Sequence, residues 1–139
     1  MIDVLQEFFK FRIAGEGPVA ASIRAKRYDL LVSLLRAGAD PNEKQDYALS
    51  ALSVAAGLGD VVAVSHLLRH GANANGARYE DSAPLKYAVE KEAYDVAALL
   101  LAHGASPQFL PTGQGLPAIS FAKTDRMSEL LARFMEDEE

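Results

Sequence analysis

Three histidines are the side chains best suited to chemistry in this chain. His66 and His70 lie four residues apart, a spacing that puts both on one face of a helix, and His103 repeats His70 at an interval of 33. A zinc site needs three or four ligands in tight tetrahedral geometry. Here there is no cysteine and no H-E-x-x-H pattern, and stacked helices would hold His70 and His103 a helix diameter (roughly 10 Å) apart. His70 and His103 each stand directly before a glycine, where an imidazole can satisfy the late carbonyls of a helix. Ser65 adjoins His66, but adjacent helical residues point in different directions, and no G-x-S-x-G elbow is present. Gly57 and Gly59 lie in Gly-Leu-Gly-Asp, which reads as a link between helices, and no G-x-x-x-x-G-K-S/T phosphate loop exists. The expectation is no catalytic residue, no metal and no cofactor, so function must come from surface.

The elements that would carry such a surface repeat. Gly38, Gly71 and Gly104 are 33 apart, each closing a similar stretch: Leu-Leu-Arg-Ala-Gly-Ala-Asp, Leu-Leu-Arg-His-Gly-Ala-Asn and Leu-Leu-Ala-His-Gly-Ala-Ser. Self-similarity at this period signals stacked repeats. Pro18, Ala51, Pro84 and Pro117 share a second register, and proline suits a first helical turn, where its missing N–H has no intrahelical acceptor. The small residues Ala21, Ser22, Ala55, Ala56 and Ala88 follow and allow close helix approach. A second helix is predicted after each first one, with an apolar stripe of Leu30, Leu31, Leu34 and Leu35 in one copy and Val96, Leu99, Leu100 and Leu101 in another. Each second helix ends at its glycine, the residue that adopts a left-handed conformation without steric cost. Polar turn formers come next, at 39–42, 72–75 and 105–107.

Helix, short link, helix, glycine and long turn at this period resemble the ankyrin repeat family, whose unit is 33 residues with a T-P-L-H-x-A signature. The resemblance covers about residues 14–135. The signature is degraded: the copies read Gly-Pro-Val-Ala at 17–20, Ser-Ala-Leu-Ser at 50–53, Ala-Pro-Leu-Lys at 83–86 and Leu-Pro-Ala-Ile at 116–119. No copy has both threonine and histidine, which in the family tie the turn to the helix. The implied fold is an all-α solenoid of about four helix–turn–helix repeats with β-hairpin-like tips. It forms one domain over residues 1–139: a capping helix at 1–13, repeats at 14–38, 39–71, 72–104 and 105–135, and an acidic tail at 136–139. The capping helix would bury Val4, Leu5, Phe8 and Phe9, since a terminal repeat must hide its outer face. The shortened last copy ends in a helix over about Asp125–Met135 that buries Met127, Leu130, Leu131 and Phe134, and the acidic tail opposes that helix's dipole and is expected to fray.

Composition narrows the partners. Half of the residues are hydrophobic, which fits a folded chain. The net charge is −5, split as seven Lys and Arg against six acids over 1–44 and seven against thirteen over 45–139. Such a surface would repel phosphate backbones, and the one basic cluster, Arg24, Lys26 and Arg27, reads as a solvated helix face. No apolar run reaches membrane-spanning length. The start lacks a basic segment ahead of its apolar residues, and the absence of cysteine fits a reducing compartment. The reading is a cytoplasmic protein, monomeric when free, that binds neither nucleic acid nor membrane.

The ankyrin resemblance implies a concave recognition face built from hairpin tips and the exposed side of each first helix. Carried over by register, that face takes Lys44, Asp46, Tyr47 and Leu49 with Leu58 from the first hairpin and its following helix. It takes Arg78, Tyr79, Glu80 and Ser82 with Glu90 and Lys91 from the second, and Phe109 and Leu110 with Thr112 from the third. An aromatic stands on each hairpin, and tyrosine and arginine are enriched at binding hot spots. The third hairpin, 109–116, has two glycines, a proline and no charge, and is expected to be mobile or ordered by a partner. The expected activity is non-enzymatic protein binding, as a small inhibitor or immunity-type protein of a basic partner or as an adaptor.

Overall fold

The computed structural model describes residues 17–42, 49–76, 83–108 and 117–137. Within them lie seven α-helices: α1 (Pro18–Arg24), α2 (Tyr28–Arg36), α3 (Ala51–Leu58), α4 (Val61–Arg69), α5 (Pro84–Glu90), α6 (Tyr94–Ala102) and α7 (Asp125–Asp137). A 3₁₀ turn, Ala118–Phe121, precedes α7. The described residues contain no β-strand. The hairpin tips and the predicted capping helix lie outside them.

Helices of seven to nine residues are too short to persist alone in water, because nucleation costs more than so few hydrogen bonds return. Stacking holds them. The first helices pack in series, α1 on α3, α3 on α5 and α5 on the 3₁₀ turn, as an inner layer; α2, α4, α6 and α7 pack in series as an outer layer. Small residues let the inner layer close up: Ala20, Ala21, Ala55, Ala56 and Ala88 are all fully buried. Leu31, Leu67, Leu100 and Leu131 fill the space between the layers, and truncating one of them to alanine should cost about 2–5 kcal/mol. Of the expected stripes, Leu31, Leu35, Val96, Leu100 and Leu101 are buried, while Leu30, Leu34 and Leu99 are half-exposed.

The repeated Leu-Leu-x-x-Gly-Ala stretch is a helix stop. Gly38, Gly71 and Gly104 have φ of +97°, +89° and +95°. The following alanine N–H donates back to the first leucine carbonyl, Ala39 to Leu34 at 2.9 Å, Ala72 to Leu67 at 3.0 Å and Ala105 to Leu100 at 3.0 Å. The glycine N–H donates to the second leucine, at 3.1–3.2 Å in all three copies. These paired bonds satisfy carbonyls that a helix end would leave bare. The first helices stop the same way at Lys26, Gly59 and Glu92, with φ of +55°, +69° and +57°.

Two expectations for the last copy change. Its first helix is a single 3₁₀ turn, since only a few residues separate Pro117 from the start of α7. Its second helix runs on through Glu136 and Asp137, two residues into the acidic run, instead of ending at Met135. Met127, Leu130 and Leu131 are buried as predicted, and Phe134 is half-buried.

Candidate protein-binding surface

Long turns join each second helix to the next repeat, and short turns join the two helices within a repeat, so the stack has a long-turn edge and a short-turn edge. At the long-turn edge a polar ladder sets the spacing. Asp40, Asn73 and Ser106 each accept, through a side-chain oxygen, the N–H two residues on, at 2.8, 3.0 and 3.3 Å. The residue gripped this way then reaches the next repeat. Asn42 Oδ1 accepts from the Asn73 N–H at 2.6 Å, and its Nδ2 donates to the Gly71 carbonyl at 3.0 Å. Asn75, one period on, accepts from the Ser106 N–H at 2.9 Å. This ladder ties the start of each long connection to the next repeat. Sequence reading treated these residues as turn formers only; Asp-x-Asn, Asn-x-Asn and Ser-x-Gln recur at one register, but the pattern does not show that the side chains bond the next repeat.

The degraded signature leaves one tie intact. Ser50 Oγ caps α3 by accepting the Ser53 N–H at 3.1 Å. Ser53 stands where the family's signature places histidine, and its hydroxyl is buried without a hydrogen-bond partner. Ser22, also buried, donates to the Val19 carbonyl at 2.6 Å.

Of the residues assigned to the recognition face, four are described. Leu58 is exposed at the end of α3. Glu90 and Lys91 are exposed at the end of α5. Glu90 pairs with Lys86 at 3.5 Å, and the Lys91 stem lies across Gly59, where an added methyl would sit 3.6 Å from Lys91 Cγ. Leu49 is half-buried and packs on the core, so only part of it is available to a partner. Lys44, Asp46, Tyr47, Arg78, Tyr79, Glu80, Ser82, Phe109, Leu110 and Thr112 lie outside the described residues. The inner layer adds a group that sequence reading did not select: Lys86 Nζ lies 4.8 Å from the centre of the Phe121 ring and 5.9 Å from that of Tyr87. Its pairing with Glu90 is an i, i+4 pair that the sequence did contain.

At the short-turn edge the turns are bolted to one another. Tyr28 Oη donates to Asp60 Oδ2 at 2.7 Å, while Asp60 Oδ1 caps α4 through the Ala63 N–H at 3.1 Å. That hydrogen bond to Asp60 pushes the Tyr28 phenol above its ordinary value of 10, since losing the proton would break it and set two anions together. The Arg27 guanidinium grips Asp29 through two hydrogen bonds, at 2.9 and 3.0 Å, and holds its carboxyl down at about 2. Glu92 Oε1 accepts from the Lys123 N–H and Oε2 from the Thr124 hydroxyl, both at 3.1 Å, tying repeat three to repeat four. Arg126 lies flat on Tyr94, 3.6 Å from the ring centre.

Two of the three histidines are committed to helix ends. His70 Nδ1 lies 2.8 Å from the His66 carbonyl and His103 Nδ1 lies 2.9 Å from the Leu99 carbonyl, as their place before glycine predicted. Among the described residues no three His, Asp or Glu side chains gather as metal ligands. No helix among them is long and apolar enough to cross a membrane.

A family model described as "Ankyrin repeats (3 copies)" matches residues 19–109, more than half of the chain. The chain belongs to the ankyrin repeat family. Ankyrin repeats are a protein–protein interaction module and usually non-catalytic. Among solved structures, the human ASB11 ankyrin repeat domain superimposes with a TM-score of 0.75 at 23% identity, over 96% of this chain and 61% of that one. The ankyrin repeat domain of Bcl-3, described as a unique member of the IkappaB protein family, gives 0.74 at 22% identity over 85% and 52%. Both likenesses are of fold. Human BCL-6 corepressor-like protein 1 is 30% identical over 125 residues, which is 89% of this chain but 7% of that protein. The ankyrin stack thus spans a small fraction of that relative.

Proposed function

We propose that this ankyrin stack binds a partner protein along the concave side formed by its hairpin tips and inner helical layer, and that it acts by steric occlusion as an inhibitor or immunity-type module. The observation that carries the reading is the exposed rim of the inner layer, where Leu58, Glu90 and Lys91 stand free of the core at the register positions named from sequence. Tyr47, Tyr79 and Phe109 would extend that rim onto the tips. A preassembled stack loses little conformational freedom on docking, which favours affinity. The described residues carry as many Lys and Arg as Asp and Glu, so the net charge of −5 comes from the remaining stretches, which include Glu43, Asp46, Glu80 and Asp81 of the two hairpins. Acidic tips speed encounter with a basic partner. Residence in a reducing compartment such as the cytoplasm is consistent with the absence of cysteine.

The experiment is affinity capture from the native host, followed by lysine cross-linking of the purified complex. A basic partner cross-linked through Lys44 and Lys91 is expected. Cross-links confined to the outer-layer side contradict the assignment. Inhibition requires that the captured partner lose activity at one equivalent of this chain; full activity in the complex would favour the adaptor reading. Stoichiometric zinc in purified protein, lost in His66→Ala and His70→Ala, would overturn both.

A further inference from the structure

The three asparagines of the chain, Asn42, Asn73 and Asn75, all stand in the polar ladder of the long-turn edge, and the residues after them are Glu43, Ala74 and Gly76. The side-chain amide of an asparagine is open to attack by the main-chain nitrogen of the next residue. Glycine, which has no side chain, is the residue that leaves this nitrogen unshielded. The structure separates the three sites further. Asn42 is held through both amide atoms, Oδ1 by the Asn73 N–H and Nδ2 by the Gly71 carbonyl. Asn73 precedes Ala74, which is buried. Asn75 is held through Oδ1 alone, by the Ser106 N–H at 2.9 Å, and its Nδ2 makes no hydrogen bond among the described residues. Asn75 and Gly76 are both half-exposed. Gly76 has a φ of +79°, a region that glycine enters without steric cost.

We propose that Asn75–Gly76 is a site of spontaneous covalent modification, where Asn75 deamidates and loosens the ladder between repeats three and four. The Gly76 nitrogen gives its proton to solvent and attacks Asn75 Cγ. The new N–Cγ bond forms as the Cγ–Nδ2 bond breaks, and Nδ2 leaves as ammonia with a proton from solvent. Water then opens the cyclic imide by adding to one of its two carbonyls, and the bond from that carbonyl to the Gly76 nitrogen breaks. Opening at Cγ leaves aspartate on the original main chain. Opening at the Asn75 main-chain carbonyl leaves isoaspartate, with the chain running on through Cβ and Cγ. The sum is amide plus water giving carboxylate plus ammonium, with no oxidation or reduction.

The fold restrains this reaction. The Gly76 N–H donates to the Asn73 carbonyl at 2.9 Å, and the Asn75 N–H donates to Asn73 Oδ1 at 3.0 Å. The nucleophile is thus tied to Asn73, and the carbon it must reach is tied through Oδ1 to Ser106. Ring closure needs both ties to open. They lie on a half-exposed turn, where local opening costs less than unfolding the stack, so the ladder slows the reaction without stopping it. The two products differ in what they leave behind. Aspartate keeps an oxygen in the place of Oδ1 and can still accept from the Ser106 N–H. Isoaspartate adds a carbon to the main chain and displaces that acceptor. The modified fraction grows with the age of the molecule, and the third and fourth repeats part more readily in it.

The test is incubation of the whole folded chain in mildly alkaline buffer, followed by tryptic digestion and fragment mass spectrometry. Cleavage after Arg69 and Arg78 releases residues 70–78, which carry Asn73 and Asn75 together. Deamidation should appear at Asn75, with isoaspartate the larger product, while Asn73 and Asn42 keep their amides. The synthetic peptide 70–78 should react at least tenfold faster than the folded chain, and the variant Asn73→Ala, which lacks the acceptor of the Asn75 N–H, should fall between them. Hydrogen exchange at the Ser106 amide should quicken in the isoaspartate fraction and stay close to wild type in Asn75→Asp, which adds the charge without the extra carbon. An Asn75 that stays intact in the chain while the peptide reacts to completion would overturn the proposal, as would an Asn73 that reacts as fast as Asn75. Equal rates in chain and peptide, or an isoaspartate fraction with Ser106 fully protected, would overturn the part given to the ladder.

Discussion

At the scale of single residues, two left-handed positions that glycine would fill most cheaply hold charged side chains, and they differ in what those side chains do. Lys26 and Glu92 have φ of +55° and +57°, a conformation that costs a non-glycine residue about 1 kcal/mol. Lys26→Gly should therefore raise stability by about 0.5–1 kcal/mol in urea unfolding. Glu92→Gly relieves the same strain but removes the acceptor of the Lys123 N–H and the Thr124 hydroxyl. It should come out about 1 kcal/mol less stable, given the worth of charge-assisted hydrogen bonds. Equal effects in the two variants would show that the Glu92 tie contributes nothing. Ser53 poses the converse case, a buried hydroxyl with no partner. Ser53→Ala should stabilise the stack by about 1 kcal/mol, because an unsatisfied buried hydroxyl retains its desolvation cost; a lowered urea midpoint would mean that the hydroxyl is satisfied. Neither point was legible in the sequence. A lysine and a glutamate in place of glycine give no sign of backbone strain, and a serine in a helix gives no sign of what faces it.

At the scale of elements, the helix stops were legible and the links between repeats were not. Leu-Leu-x-x-Gly-Ala announces its own ending, because glycine at that place has a single physical explanation and the bonds it permits run within one helix end. The ladder through Asn42 and Asn75 joins residues 31 apart in sequence, so the residues declare only that they favour turns until the stack brings the next repeat alongside. The same reason explains the 3₁₀ turn at Ala118–Phe121: how tightly a shortened copy winds depends on the neighbour it must meet. Asn42 supplies two inter-repeat hydrogen bonds. Asn42→Ala should cost about 1–2 kcal/mol, and Asn42→Asp, which keeps the acceptor but sets a carboxylate oxygen against the Gly71 carbonyl, at least as much. Hydrogen exchange should show faster opening at the Asn73 amide in both, more so in the alanine variant. Unchanged protection at Asn73 would remove the ladder from the account.

At the scale of the whole molecule, the period together with the repeated Leu-Leu-x-x-Gly-Ala stretch carried the sequence to the all-α ankyrin stack, since a repeat must bury the same face on the same neighbour each time. The recognition face is a different kind of inference. Leu58, Glu90 and Lys91 are exposed, Leu49 is partly drawn into the core, and Val61 and Val62 are exposed although valines opening a helix look like core. Surface function is legible only where a residue departs from what the stack requires, and Tyr47 and Tyr79 are such departures. The central claim, that the concave side captures the partner, is tested most directly by the dissociation constant of the native complex for the variant Tyr47→Ala, Tyr79→Ala, measured by calorimetry beside its thermal midpoint. The account predicts at least tenfold weaker binding, about 1.4 kcal/mol, with the midpoint barely moved. Undiminished affinity, or loss of binding together with loss of the fold, would contradict it.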